Sequence, residues 1–174
     1  MSRIDYDLTQ INGIVFDVDG VLSPSTVPMG NDGRPVRMAN LKDGYALQLA
    51  VKKGLKIAII TGADTPAIIE RYNMLGIKDV YIKASQKLPI LQKWMTDNNL
   101  SKDLVAYVGD DIPDIECLLN VGLPVSPADA APEVKEIAVY VSPVTGGYGV
   151  ARDLIEMVMK AKGLWMTTAD AFGW

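Results

Sequence analysis

The sequence predicts an α/β fold: one domain on a mostly parallel sheet with helices on both faces, carrying a small β-hairpin flap and no large cap domain. Three observations lead there. Short apolar runs of strand length recur along the chain, each followed by a stretch of helical spacing. That alternation implies right-handed crossovers and a parallel sheet covered on both sides. The 174 residues suit a single core. The first apolar run, Ile14-Val15-Phe16, leads straight into Asp17-Val18-Asp19-Gly20-Val21. A buried strand thereby delivers two carboxylates to the sheet's carboxyl edge, where open α/β folds bind ligands.

Taken in order, 11–17 is the first strand. Segment 22–40 (LSPSTVPMGNDGRPVRMAN) carries Pro24, Pro28, Gly30, Gly33 and Pro35, and Asn31-Asp32-Gly33 is a hairpin-type turn. Short strands over 26–29 and 36–39 would make it a flap beside the acidic pair. Segment 43–53 has helical spacing, with Asp43 as N-cap and Gly54 as the C′ stop. A second strand, 55–60, ends at Thr61-Gly62. A helix over 65–75 has Pro66 near N1 and Gly76 as its stop. A third strand at 80–82, a helix over 87–98 and a fourth strand at 104–108 follow. The next helix, 112–120, holds Pro113 in its first turn. Short strands near 123–125 and 138–141 and a helix over 150–162 complete the set. The tail 163–174 (GLWMTTADAFGW) has two Trp and one Phe, side chains that seek a surface to bury against. That surface is another subunit, a pocket, or the chain's own domain.

A net charge of −4 with scattered basic residues argues against nucleic acid or an anionic membrane as the main partner. No apolar run approaches the roughly 20 residues of a membrane span, and the first residues lack the basic-then-apolar order of a signal peptide. A cytoplasmic location is expected. The single Cys117 excludes an internal disulfide and any multi-cysteine zinc site, and its apolar neighbours mark it as a small core residue. There is no histidine. Imidazole ligands, Ser-His-Asp triads and Cys-His dyads are therefore absent, and acid–base chemistry rests mainly on carboxylates, with Lys or Tyr as lesser candidates.

Four features follow successive strands: Asp17 and Asp19 after the first, Thr61-Gly62 after the second, Lys87 after the third, and Gly109-Asp110-Asp111-Ile112-Pro113-Asp114 after the fourth. The i, i+4 spacing of Asp110 and Asp114 places them on one helical face. Each feature alone has an ordinary explanation, such as a helix cap, a turn or a solvated lysine. In a parallel sheet, however, all four strand ends meet along one edge. Four or more carboxylates gathered there require a cation, and a hard one such as Mg²⁺ suits carboxylates plus phosphate oxygens. Phosphoryl transfer then assigns the parts. Asp17 attacks phosphorus and forms an aspartyl-phosphate. Asp19 protonates the leaving alkoxide and then deprotonates the hydrolytic water. Thr61 and Lys87 hold phosphoryl oxygens. Asp17, Asp110 and the backbone carbonyl of Asp19 bind Mg²⁺, while Asp111 and Asp114 orient the metal shell or Lys87.

These residues resemble the four motifs of the haloacid dehalogenase superfamily. Over roughly 11–162 the chain is similar to its capless 3-deoxy-D-manno-octulosonate 8-phosphate (KDO 8-phosphate) phosphatases. The likeness lies in Asp19-Gly20-Val21-Leu22-Ser23, Met29-Gly30-Asn31, Asn40-Leu41-Lys42-Asp43-Gly44-Tyr45, Ala58-Ile59-Ile60-Thr61-Gly62, Ala106-Tyr107-Val108-Gly109-Asp110-Asp111 and Gly146-Gly147-x-Gly149-x-x-Arg152. The resemblance implies a Rossmann-like core, release of phosphate from a sugar-acid phosphate in lipopolysaccharide sugar biosynthesis, and a homotetramer whose neighbouring subunits complete each site. It also implies a tail that closes over a site. Substrate contacts would fall on Asn40, Leu41, Lys42, Asp43, Gly44, Arg71, Lys87 and Asp19. Two positions that often carry arginine in such enzymes are Gln48 and Ala63 here. Arginine is the usual carboxylate clamp, so Arg34, Arg37 or a neighbouring subunit's Arg152 would take that part. A sister enzyme for a nine-carbon acid phosphate (KDN or an acylneuraminate 9-phosphate) would share every catalytic residue. A phospho-receiver domain would carry its phosphorylated Asp on the third strand. A non-catalytic regulator would lose Asp17 or Asp19, and neither is lost.

Overall fold

The computed structural model describes residues 4–174. Strands β1 (Gly13–Phe16), β2 (Lys56–Ile60), β3 (Asp79–Tyr81), β4 (Val105–Val108), β5 (Leu123–Ser126) and β6 (Tyr140–Val141) form one sheet in the order β3-β2-β1-β4-β5-β6. Every neighbouring pair is parallel. The order reverses beside β1, the topological switch point at which doubly wound sheets open a crevice. Phe16 lies level with Ile59 on β2 and Val108 on β4, so the residues that follow these three strands emerge together.

Helices α1 (Leu41–Lys52), α2 (Pro66–Asn73), α3 (Lys87–Asp97), α4 (Ile115–Leu118), α5 (Pro132–Ile137) and α6 (Val150–Ala161) cover both faces. Side chains alternate across the strands and build two cores. Ile14, Phe16, Ile59 and Val108 pack with Leu47 of α1 and Leu154 and Val158 of α6. Val15, Ile60 and Tyr107 pack on the opposite face with Leu91 and Trp94 of α3, Cys117 of α4 and Val134 of α5. Cys117 is thus the core residue its neighbours predict.

Several local expectations are corrected. The N-cap of α1 is Asn40, not Asp43: the Asn40 side chain accepts from the backbone N–H of Lys42 and of Asp43 at 2.9 and 3.1 Å. Asp43 lies inside the first turn, where an acid also complements the helix dipole. The helix expected over 112–120 breaks into a 3₁₀ turn, Ile112–Asp114, and the short α4. Asp110 precedes both, so it shares no helical face with Asp114. Helix α5, six residues long with Pro132 in its first turn, was not expected from the sequence. The flap forms no extended ladder. A single antiparallel bridge joins Met29 and Pro35, flanked by Gly30 N–H to Arg34 C=O at 2.7 Å and Val36 N–H to Pro28 C=O at 2.8 Å. Pro28 and Pro35 lack N–H groups, which limits the pairing.

The tail folds back on its own domain rather than reaching outward. The Tyr45 hydroxyl donates to the Ala171 carbonyl at 2.5 Å, and Trp165 and Trp174 meet the Tyr45 ring edge-on at 6.1 and 6.3 Å. The Arg152 guanidinium stacks 5.4 Å from the Tyr45 ring centre and 4.6 Å from that of Trp165.

Candidate active site

Asp17 follows β1 directly. Its Oδ1 accepts the Val18 N–H at 2.7 Å, and its Oδ2 lies 2.9 Å from Lys87 Nζ. Lys87 opens α3 and is itself buried; its ammonium also donates to Asp114 Oδ1 at 2.8 Å. Asp114 is fully engaged: Oδ1 further accepts the Tyr107 hydroxyl at 2.8 Å, and Oδ2 accepts the Asp110 N–H at 3.0 Å. These bonds turn the Asp114 carboxylate inward beneath the loop after β4. Two glycines, one after β1 and one after β4, make room for this arrangement. Gly20 has φ +78°, and a Cβ there would run into the Asp110 carboxylate; one on Gly109 would strike the Asp114 side chain.

The electrostatics follow from burial and crowding. Burial, then the nearby Asp114, push Asp17 up to about 7 against the pull of Lys87. Burial, then Asp17, Asp114 and Asp111, push Asp110 up to about 8. Burial works against the Lys87 charge, but Asp17 and Asp114 outweigh it and raise its pKa. Oxygens of Asp17, Asp110 and Asp114 lie within 4.8 Å of one another. An all-oxygen, mutually repelling donor set of this kind fits a hard divalent cation such as Mg²⁺. Asp17, Asp110 and Asp114 are the carboxylates that could hold it, Asp114 being the one most heavily bonded to Lys87, Tyr107 and a backbone N–H.

One cavity of about 460 Å³ gathers Asp17, Asp19, Thr61, Lys87 and the three acids Asp110, Asp111 and Asp114. Thr61 follows β2 directly and is buried, with its hydroxyl accepting the Ala63 N–H at 3.2 Å. Asp19 is the most exposed of the opening pair, and both its oxygens are taken by Arg37 of the flap. Asn40, Leu41, Lys42, Asp43, Gly44 and Arg71 do not line this cavity. Leu41 and Lys42 face solvent, whereas Asn40, Asp43, Gly44 and Arg71 surround a small separate void. Asp43 is buried; its Oδ1 accepts the Arg152 N–H at 2.7 Å, while burial pushes its pKa up to about 6. Of the arginines offered as carboxylate clamps, Arg37 is bound to Asp19, Arg152 is stacked and paired with Glu156 at 2.8 Å, and Arg34 is exposed. Ala63 lines the acidic cavity; Gln48 does not. Sequence reasoning missed Tyr107. Its signal was a polar hydroxyl in the middle of a buried strand, which must find a partner.

Comparison with known proteins adds to this geometry. Residues 76–154 match the model of the haloacid dehalogenase-like hydrolase family. The 3-deoxy-D-manno-octulosonate 8-phosphate phosphatase of Escherichia coli K12 is 36% identical over 150 residues, covering 86% of this chain and 80% of that protein. A crystal structure of the Yersinia pestis enzyme of that name has a TM-score of 0.86 at 33% identity, covering 90% of this chain and 85% of that one. The Moraxella catarrhalis enzyme, solved in complex with a magnesium ion, a phosphate ion and KDO, has a TM-score of 0.85 at 27% identity over 90% of each chain.

Proposed function

Because this chain belongs to the haloacid dehalogenase-like hydrolases, among the 3-deoxy-D-manno-octulosonate 8-phosphate phosphatases, we propose that it releases phosphate from that eight-carbon sugar-acid phosphate through an aspartyl-phosphate on Asp17. The observation that carries this is the meeting of Asp17, Lys87, Asp110 and Asp114 at the level ends of parallel strands, with Asp19 across the same cavity.

Asp17, Asp110 and the Asp19 carbonyl would hold Mg²⁺, which would supply charge neutralisation for the phosphoryl group. Asp17 attacks phosphorus in line as the bond to the sugar oxygen breaks, and Asp19 gives that oxygen a proton. Asp19 then takes a proton from water, whose oxygen displaces Asp17 and yields inorganic phosphate. Lys87 and Thr61 hold the phosphoryl oxygens, with Lys87 fixed by Asp114 and Tyr107 behind it. Asp111, on the wall of the same cavity, would orient the metal's surroundings.

Leu41 and Lys42 face solvent outside the acidic cavity of their own chain, which supports a part for them at a neighbouring subunit's site in a homotetramer, whereas Asp43 and Gly44 are buried. The exposed Met29, Val36, Met38, Leu41 and Met74 are suited to such a contact. A cytoplasmic location fits a sugar-phosphate substrate. With no arginine at Gln48 or Ala63 the sugar-acid clamp is unassigned, and a nine-carbon acid 9-phosphate is the second reading. Phosphate release measured on both sugar phosphates with Mg²⁺ decides between them; a preference for the nine-carbon acid overturns the substrate. Asp17→Asn is expected to abolish release on either, and undiminished turnover in that variant refutes the nucleophile.

A further inference from the structure

Asp19 and Arg37 form the partition between two cavities. Asp19 lines the acidic cavity, whereas Arg37 lines a neighbouring one of about 350 Å³ beneath the flap, walled by Val36, Met38, Ile68 and Arg71. Across that partition Arg37 Nε donates to Asp19 Oδ1 at 2.7 Å and Nη2 donates to Oδ2 at 2.8 Å. The remaining nitrogen, Nη1, donates to Thr65 Oγ1 at 3.1 Å, at the cap of α2. Arg37 itself is held from both sides: Val36 N–H bonds to the Pro28 carbonyl at 2.8 Å, and Met38 N–H to Ser23 Oγ at 3.0 Å.

The two acids of the opening motif are therefore fixed by different means. Asp17 is pinned by Val18 N–H and Lys87, both part of the core. Among the described residues, Arg37 supplies every hydrogen bond that the Asp19 carboxylate accepts. The Asp19 side chain is 44% exposed while that of Arg37 is only 14% exposed, so the guanidinium is the anchored member and the carboxylate the one being steered. A planar fork on a carboxylate sets its plane and rotamer, which a lysine in the same place could not do.

We propose that Arg37 is a positioning residue of the flap: its fork occupies one lone pair on each Asp19 oxygen and leaves the other to carry the proton that goes to the leaving-group oxygen, and it is itself braced by Thr65 and, through Met38, by Ser23. The flap is then part of the acid–base apparatus as well as a wall of the cavity. The inference rests on the phosphatase reading above and adds a dependence that reading does not require. Loss of Arg37 selectively slows the step in which the leaving oxygen needs a proton.

The test compares kcat/KM, which reports steps up to formation of the aspartyl-phosphate, on two substrates. A sugar-acid alkyl phosphate needs its leaving oxygen protonated; p-nitrophenyl phosphate, whose leaving group is a stable phenolate, does not. In Arg37→Gln the alkyl phosphate is expected to lose on the order of tenfold or more in kcat/KM, the aryl phosphate less than about threefold. Arg37→Lys, which keeps the charge without the fork, should recover only part of the loss. Thr65→Val, which removes the brace alone, should show a smaller loss with the same substrate bias, and it serves if Arg37→Gln melts early. Equal losses on both substrates, or none, overturn the positioning role, because a merely structural flap would affect both alike. A wild-type protein that hydrolyses neither substrate overturns the phosphatase reading instead.

Discussion

Asp43→Asn should make the protein more stable at neutral and alkaline pH, although it removes an acid from the first turn of a helix. The residue is 2% exposed, Oδ1 accepts one backbone N–H from Arg152, and Oδ2 has no hydrogen-bond partner among the described residues. Burial raises its pKa to about 6 from the ordinary 3.8, the Arg152 contacts offsetting only part of the effect. That gap corresponds to about 3 kcal/mol of preference for the neutral form in the fold. The sign follows from the direction of the shift. An acid with a raised folded pKa contributes stability that is fully present below its unfolded pKa and is lost as pH rises through the folded one. The wild-type protein therefore loses this contribution between about pH 4 and pH 6, and Asn, always neutral, does not. Losing the acid's interaction with the helix dipole costs about 0.3–1 kcal/mol, leaving a net gain of about 2 kcal/mol, or roughly 4–8 °C in Tm for a chain of this size. Thermal melts of both proteins at pH 8 and pH 4, with chelator present, test this. The gain should be seen at pH 8 and shrink toward zero at pH 4. A variant less stable than wild type by the same amount at both pH values would refute the reasoning.

Lys87→Met should destabilise the fold by about 3–5 kcal/mol, because it leaves two buried carboxylates without their shared cation; a melting temperature unchanged from wild type would contradict the pairing with Asp17 and Asp114. Mg²⁺ should raise Tm more at pH 8.5 than at pH 6. Asp17 and Asp110, raised to about 7 and about 8, take stability from the metal-free protein as pH climbs through those values, and the ion relieves the repulsion. Equal shifts in calorimetry at both pH values would argue against those ligands. Deletion of 165–174 should lower stability by about 1–3 kcal/mol through loss of aromatic and cation–π contacts. It should leave kcat nearly unchanged, since no residue of the tail lines the acidic cavity; a large fall in kcat would place the tail at the site after all.

Strands β1, β2 and β4 were legible because their signal is local: three to five apolar residues in a row, closed by Asp, Thr or Gly. That local signal also located Asp17, Thr61 and Asp110, since a parallel sheet with level strands brings its exits to one edge whatever the loops do. Short-range competition was harder to read. Asn40 and Asp43 both suit an N-cap, and only the backbone N–H groups they reach decide between them. The segment after β4 opens as a 3₁₀ turn, so Asp110 and Asp114 converge through a backbone-to-carboxylate bond rather than helical periodicity. Long-range contacts left no trace at all. Nothing in residues 34–38 announces that Arg37 will meet an acid 18 positions earlier in the chain, and nothing in the tail says that Tyr45 is where it lands.

The positions of the three tryptophans give the protein a built-in optical reporter. Trp94 is 1% exposed in the core beneath the sheet, its indole N–H donating to Asp79 at 2.9 Å, so its emission should stay blue until the whole domain unfolds. Trp174 is 71% exposed and rests against Tyr45, while Trp165 lies over Arg152. Release of the tail would change the surroundings of those two indoles and leave the first untouched. Emission wavelength can thereby separate a local detachment at the surface from loss of the fold, without a label and in a single titration.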